Sequence, residues 1–207
     1  MTSDDLNKTQ HLPILNGLVL AGGHSRRMGA DKGLIQWHGL EQRYYMANLL
    51  RQVCNNVFIS CRPGQVPEID AAYPTLADTI EGAGPLGGIL TALQAQPQNA
   101  WLVTACDLPL LDLATLTYLV QHRDTHAIAT TFQSPFDGLP EPLITIWEPA
   151  SYAALQEHLA AGFTCPRKAL IRNSDRVRIL PPPDPTKLLN ATTPQDAEKV
   201  KAIIAGI

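Results

Sequence analysis

Short apolar runs alternate along the chain with longer stretches whose apolar positions recur every three or four residues. "NGLVLAGG" (16–23), "NVFISCR" (56–62) and "AWLVTACD" (100–107) are apolar runs of strand length. Between and after them, "EQRYYMANLLRQVC" (41–54), "PLGGILTALQAQ" (85–96) and "LDLATLTYLVQHR" (111–123) carry a helical period, the last with Asp112 placed as an N-cap. Continuous apolar strands separated by helices predict right-handed crossovers and a largely parallel sheet.

After His122 the rhythm changes. "HAIATTF" (126–132) and "PEPLITIWE" (140–148) are strand-like runs joined only by a Pro/Gly-rich connection, which predicts an antiparallel excursion from the sheet. "PASYAALQEHLAAG" (149–162) and "CPRKALI" (165–171) read as helices, and "RVRIL" (176–180) as a short strand stopped by "PPPDP". A closing helix starts with Thr193 as N-cap, Pro194 at the first helical position and Asp196 in the first turn. No repeat or low-complexity linker interrupts this order. The expectation is therefore one α/β domain over residues 14–207 behind a flexible N-terminal segment, 1–13.

Composition narrows the function classes. The 207 residues are 45% hydrophobic and 17% charged with a formal net charge of -3, which argues against a nucleic-acid partner and its large basic field. No apolar run approaches the roughly 18 residues needed to span a bilayer. "MTSDDLNKTQHLP" lacks the plan of a secretory signal, so the expected place is the cytoplasm, with no membrane partner. Cys54, Cys61, Cys106 and Cys165 are scattered without zinc or redox spacing and read as reduced thiols.

The chemistry concentrates in "LVLAGGHSRRMGADKG" (18–33). A strand followed by a glycine loop presents free backbone N–H groups to an anion, and Arg26, Arg27 and Lys32 add positive charge. The loop fits neither the dinucleotide nor the Walker fingerprint, so it predicts a phosphate loop of another kind. Asp107 ends an apolar strand and Pro109 stops its ladder, which brings the carboxylate to the same sheet edge. A single carboxylate facing bound phosphates is a usual way to hold magnesium; taken alone, Asp107 is an ordinary turn residue. Gly82, Gly84, Gly87 and Gly88 surround Pro85, either to let backbone approach a flat ligand or to pack a helix tightly on the sheet. Asp78, just ahead, is a second site carboxylate or a loop cap. The histidines at 11, 24, 38, 122, 126 and 158 have no ligand spacing, and Ser25 lacks a nucleophile frame.

"LAGGHSRRMGADKGLI" resembles the L-A-G-G-x-S-x-R-M-G-x-D-K signature of the molybdenum cofactor guanylyltransferases, a family of Rossmann-like nucleotidyltransferases. "GPLGGI", "CDLPLL", "EPL" before an apolar strand, and "LLNATTPQDA" are similar to further family blocks, in the family's order. The resemblance implies a three-layer α/β/α Rossmann-like nucleotidyltransferase fold, mostly parallel with an antiparallel excursion. It implies transfer of GMP from GTP to the phosphate of molybdenum-molybdopterin, with Mg2+ as cofactor and pyrophosphate released. By position it implies that Leu20, Ala21, Gly22 and Gly23 lie along the nucleotide and that Lys32 binds its phosphates. Asp78 then contacts the nucleotide, Asp107 ligates the metal, and Asn190 faces the pterin. Transient contacts with proteins that supply or receive the cofactor are also implied.

CTP-using relatives usually read A-A-G where this chain reads Ala21-Gly22-Gly23. Two positions depart from the family pattern: Ser60-Cys61-Arg62 replaces Ser-x-Asn, and Thr192 replaces the second asparagine of Asn-x-Asn-Thr-Pro. The attacking group in such chemistry is a phosphate oxygen, already ionised at neutral pH, so no general base is needed. Catalysis falls to Lys32, Arg26, Arg27 and a metal at Asp107, which stabilise charge on the reacting phosphates. Other expectations for the same loop are a CTP-dependent molybdopterin cytidylyltransferase, a sugar- or polyol-phosphate nucleotidyltransferase, and a non-catalytic nucleotide-binding module.

Overall fold

The apolar runs become β1 (Leu15–Leu20), β2 (Val57–Cys61) and β4 (Ala100–Ala105), joined by a three-residue strand, β3 (Thr75–Ala77), that the apolar pattern does not announce. The computed structural model describes residues 12–23 and 31–206. Helix α1 (Gln42–Leu50) connects β1 to β2, and α2 (Pro85–Ala95) connects β3 to β4. Then come α3 (Leu113–Gln121), β5 (Ala129–Gln133), β6 (Pro140–Trp147), α4 (Ser151–Ala160), α5 (Pro166–Arg172), β7 (Val177–Leu180) and α6 (Pro194–Ala205).

One sheet runs in the order β3-β2-β1-β4-β6-β5-β7. The first four strands pair in parallel. The β5–β6 pair is antiparallel, as its short connection requires, and it belongs to the same sheet. Strand β6 lies between β4 and β5 and runs against both, so β5 regains the direction of β4 and pairs in parallel with β7.

Period-2 alternation divides the apolar side chains between two layers. Leu15, Val19, Ala100 and Leu102 face the layer of α1 and α3. Leu18, Trp101 and Val103 face that of α2, α4 and α5. Helix α1 lies so close on β1 that a Cβ at Gly17 would stand 3.1 Å from the Leu50 Cβ, so a larger residue there would push the helix outward. The predicted caps are present: Asp112 Oδ1 accepts from the Thr115 N–H (2.9 Å), and Thr193 Oγ1 accepts from the Asp196 N–H (3.2 Å). Residues 1–11 of the expected N-terminal segment lie outside the described residues; the Pro13 carbonyl accepts a hydrogen bond from Arg123 Nη2 at 3.1 Å. Among the described residues no helix is long and apolar enough to cross a membrane.

Candidate active site

Because β1, β2, β3 and β4 are parallel, Leu20, Cys61, Ala77 and Ala105 end on one edge of the sheet. A cleft of about 790 Å³ opens there, lined by Ala21, Gly22, Lys32, Ser60, Asp78 and Asp107 among others. The carboxyl edge of a parallel sheet is where ligands collect in this class of fold.

Lys32 opens a short 3-10 turn, Lys32–Leu34, whose start is capped by Asp31: its Oδ1 accepts from the Gly33 N–H at 2.9 Å. From this turn Lys32 Nζ donates to Asp107 Oδ2 at 3.1 Å, each side chain 18% exposed. The two predicted site residues, one beyond β1 and one beyond β4, are thus in direct contact because β1 and β4 are neighbours. The other carboxylate oxygen, Asp107 Oδ1, is buried without a hydrogen-bond partner among the described residues. A buried, unpartnered carboxylate oxygen is costly unless a cation meets it, which suits a metal ligand. Among the described residues no three His, Cys, Asp or Glu side chains gather around one point, so a metal at Asp107 would complete its shell with ligand phosphate oxygens and water.

Asp78 follows β3, and its Oδ1 accepts from Ser60 Oγ at 2.6 Å. Burial pushes its carboxyl above the ordinary carboxylate range, against the lowering effect of the Ser60 hydrogen bond. At Gly22 an added Cβ would lie 3.2 Å from Asp78 Oδ2 and 3.4 Å from the Arg62 backbone nitrogen; at Gly23 it would meet nothing within 4 Å. Close approach therefore constrains the first of the two glycines.

The alternatives for the downstream glycines also separate. An added Cβ at Gly88 would fall 2.6 Å from Ser60 Oγ and 2.8 Å from Leu20 Cδ2, and at Gly87 2.8 Å from the Ile80 carbonyl oxygen. Gly88 packs α2 onto the sheet, and Gly87 packs it against the loop ahead of the helix. Gly82 and Gly84, with φ of +73° and +56°, line the cleft in backbone conformations that side chains disfavour. Gly88→Ala is expected to displace the Ser60–Asp78 pair, costing about 1–3 kcal/mol in stability together with nucleotide affinity. Denaturant titration beside nucleotide binding checks this, and an unchanged pair of values would refute it.

Arg26, Arg27 and Ser25 lie outside the described residues. Asn190 is not among the residues lining the cleft, but its neighbour Ala191 donates its N–H to the Asp107 carbonyl at 2.8 Å, which docks the closing segment beside β4. All four cysteines are free thiols. Burial raises the Cys61 thiol to about 11 and the Cys54 thiol to about 12, and it pushes Cys106 up further. Sequence reasoning missed Asp31 and Ser60 as parts of the cleft. Ser60 meets Asp78 only through the β2–β3 pairing, and β3 carries no sequence signal.

Residues 17–177 match the MobA-like NTP transferase domain. A molybdenum cofactor guanylyltransferase of Pseudomonas paraeruginosa is 35% identical over 190 residues, covering 89% of this chain and 93% of that protein. A molybdenum cofactor biosynthesis bifunctional protein of Synechocystis sp. is 36% identical over 183 residues, 88% of this chain and 52% of that protein, so the chain spans about half of its length. The crystal structure of molybdopterin-guanine dinucleotide biosynthesis protein A from Archaeoglobus fulgidus shares the fold, with a TM-score of 0.77 and 21% identity over 93% of this chain and 100% of that one. The matched stretch runs from within β1 to the start of β7 and carries both the lysine turn and the carboxylate it meets, and on that ground the chain belongs to the MobA-like NTP transferase family and is a nucleotidyltransferase.

Proposed function

We propose that the chain transfers the GMP unit of GTP to the terminal phosphate of molybdenum-molybdopterin, forming the guanine dinucleotide cofactor and pyrophosphate. The observation that carries this reading is the Lys32–Asp107 contact, with Asp107 Oδ1 buried and unpartnered among the described residues in a cleft of about 790 Å³. The cleft suits a nucleotide in size, and its contents suit phosphate chemistry.

The acceptor phosphate attacks the α-phosphorus of GTP, a new P–O bond forms, and the bond to the β-phosphate breaks with its electron pair leaving on pyrophosphate. No side chain has to remove a proton. Lys32 neutralises charge that builds on the departing pyrophosphate, with Arg26 and Arg27 as further cations of the same loop. Asp107 is the residue to hold Mg2+, which when bound screens the repulsion between the two polyanions. Leu20, Ala21, Gly22 and Gly23 lie along the nucleotide, Asp78 is its carboxylate contact, and Asn190 stands on the pterin side. Glycine at position 22 supports GTP over CTP, since the alanine usual in CTP-using relatives would stand 3.2 Å from Asp78 Oδ2 and crowd that carboxylate. The reading takes residues 14–207 as one domain, working in the cytoplasm, with transient contacts to proteins that supply or receive the cofactor.

Calorimetric titration with GTP, CTP and ATP, each with and without Mg2+, tests it. GTP with Mg2+ is expected to bind at least about tenfold more tightly than CTP, a difference of about 1.4 kcal/mol. Equal affinities would overturn the assignment of the base, and binding indifferent to Mg2+ would overturn the role of Asp107.

A further inference from the structure

Arg62 lines the cleft at the end of β2, and Lys32 lines it beyond β1. Gln65, on the short helical turn Pro63–Glu68 that follows β2, joins their supports. Its side chain is buried, 7% exposed. Its Oε1 accepts two hydrogen bonds from Arg62, from the backbone N–H and from Nε, both at 3.1 Å. Its Nε2 points the other way and donates to Asp31 Oδ2 at 3.4 Å. Asp31 Oδ1 meanwhile holds the Gly33 N–H, closing the turn from which Lys32 reaches Asp107.

A primary amide offers an acceptor and a donor in one rigid plane, and here each is directed at the support of a different cleft cation. A glutamine that only capped the turn after β2 would use Oε1; the contact of Nε2 with Asp31 goes beyond that role. The turn is itself fixed from α1, where Arg43 Nη2 donates to the Glu68 carbonyl at 3.0 Å while its Nε pairs with Glu41 at 2.8 Å.

We infer that Gln65 is a positioning residue for nucleotidyl transfer: it sets Arg62 and the Lys32 turn at a fixed spacing, so that both cations address one bound triphosphate. Arg62 stands where the family pattern has asparagine, and the bond from its Nε to Gln65 Oε1 helps to orient the longer side chain. Long cationic side chains that are ordered before the ligand arrives lose less freedom on binding it. This inference rests on Lys32 being a phosphate ligand.

The test measures kcat and KM for GTP by pyrophosphate release with molybdenum-molybdopterin, alongside thermal melts. Gln65→Ala is expected to lower kcat/KM by about 10- to 100-fold, as a misplaced catalytic group does. Gln65→Glu is expected to do the same, because it sets a carboxylate against Asp31. Adding Asp31→Asn to Gln65→Glu exchanges donor and acceptor across that contact, leaves an oxygen to cap the Gly33 N–H, and is expected to restore most of the loss. In the Lys32→Ala background, Gln65→Ala is expected to cost less than it does alone, because only its effect through Arg62 is left. Wild-type kinetics in Gln65→Ala, failure of the exchange to rescue, or a loss that adds in full to that of Lys32→Ala would each overturn the inference while leaving Lys32 in place. An unchanged Lys32→Ala enzyme would overturn the reading of the site, and this inference with it.

Discussion

Asp107→Ala is expected to cut pyrophosphate release by at least about 10³-fold while the thermal midpoint stays close to that of the parent. The two halves of this result come from different atoms. Among the described residues Asp107 Oδ1 has no hydrogen-bond partner to lose, and Oδ2 contributes a half-buried contact to Lys32, a pair of a kind that stabilises by about 1 kcal/mol. The main-chain role survives any side-chain change, because it is the Asp107 carbonyl that accepts from the Ala191 N–H and holds the closing segment. Catalysis has no such reserve, since among the described residues no cluster of metal-ligating side chains could take over the carboxylate's place. Asp107→Asn sharpens the test by keeping the shape and removing the charge. It should fail as badly as alanine if an anion is needed, and full activity in either variant would remove Asp107 from the metal role. Pyrophosphate release beside a thermal melt of each variant is the measurement.

The Lys32 and Asp107 motifs were each legible in the sequence, because glycine, lysine and a proline-terminated strand leave local marks. Their contact was not. It depends on β1 lying beside β4, a neighbour relation between strands far apart in the chain that periodicity does not encode. The same limit hid the Ser60–Asp78 hydrogen bond, which needs a three-residue strand too short to show alternation. The direction of β6 was legible from the short connection after β5, yet its insertion between β4 and β5 was not, since a hairpin can join a sheet by either strand. Glycine chemistry was half legible. Counting glycines around Pro85 could not separate ligand approach from helix packing, and the atoms facing Gly87 and Gly88 decide for packing.

Lys32→Ala is expected to lower kcat/KM for GTP by about 10²- to 10³-fold, with most of the loss in kcat. The reason lies in where charge changes during transfer. Before reaction the triphosphate already carries its negative charge, so a cation that only bound it would affect KM. As the bond to the β-phosphate breaks, further charge moves onto the departing pyrophosphate, and an ammonium placed there stabilises the transition state beyond the ground state. In the proposed reaction Lys32 would take that position: its turn is fixed by the Asp31 cap, and its Nζ stands 3.1 Å from the carboxylate proposed to hold the metal. Lys32→Arg tests the placement as well as the charge. A planar, longer guanidinium cannot reproduce a point contact on a short turn, so this variant should recover nucleotide affinity more than turnover. Stopped-time kinetics on the three proteins, with melts in parallel, separates the cases. A rise in KM at constant kcat would make Lys32 a plain binding residue, and a fall in stability matching the fall in transfer would make it a structural partner of Asp107.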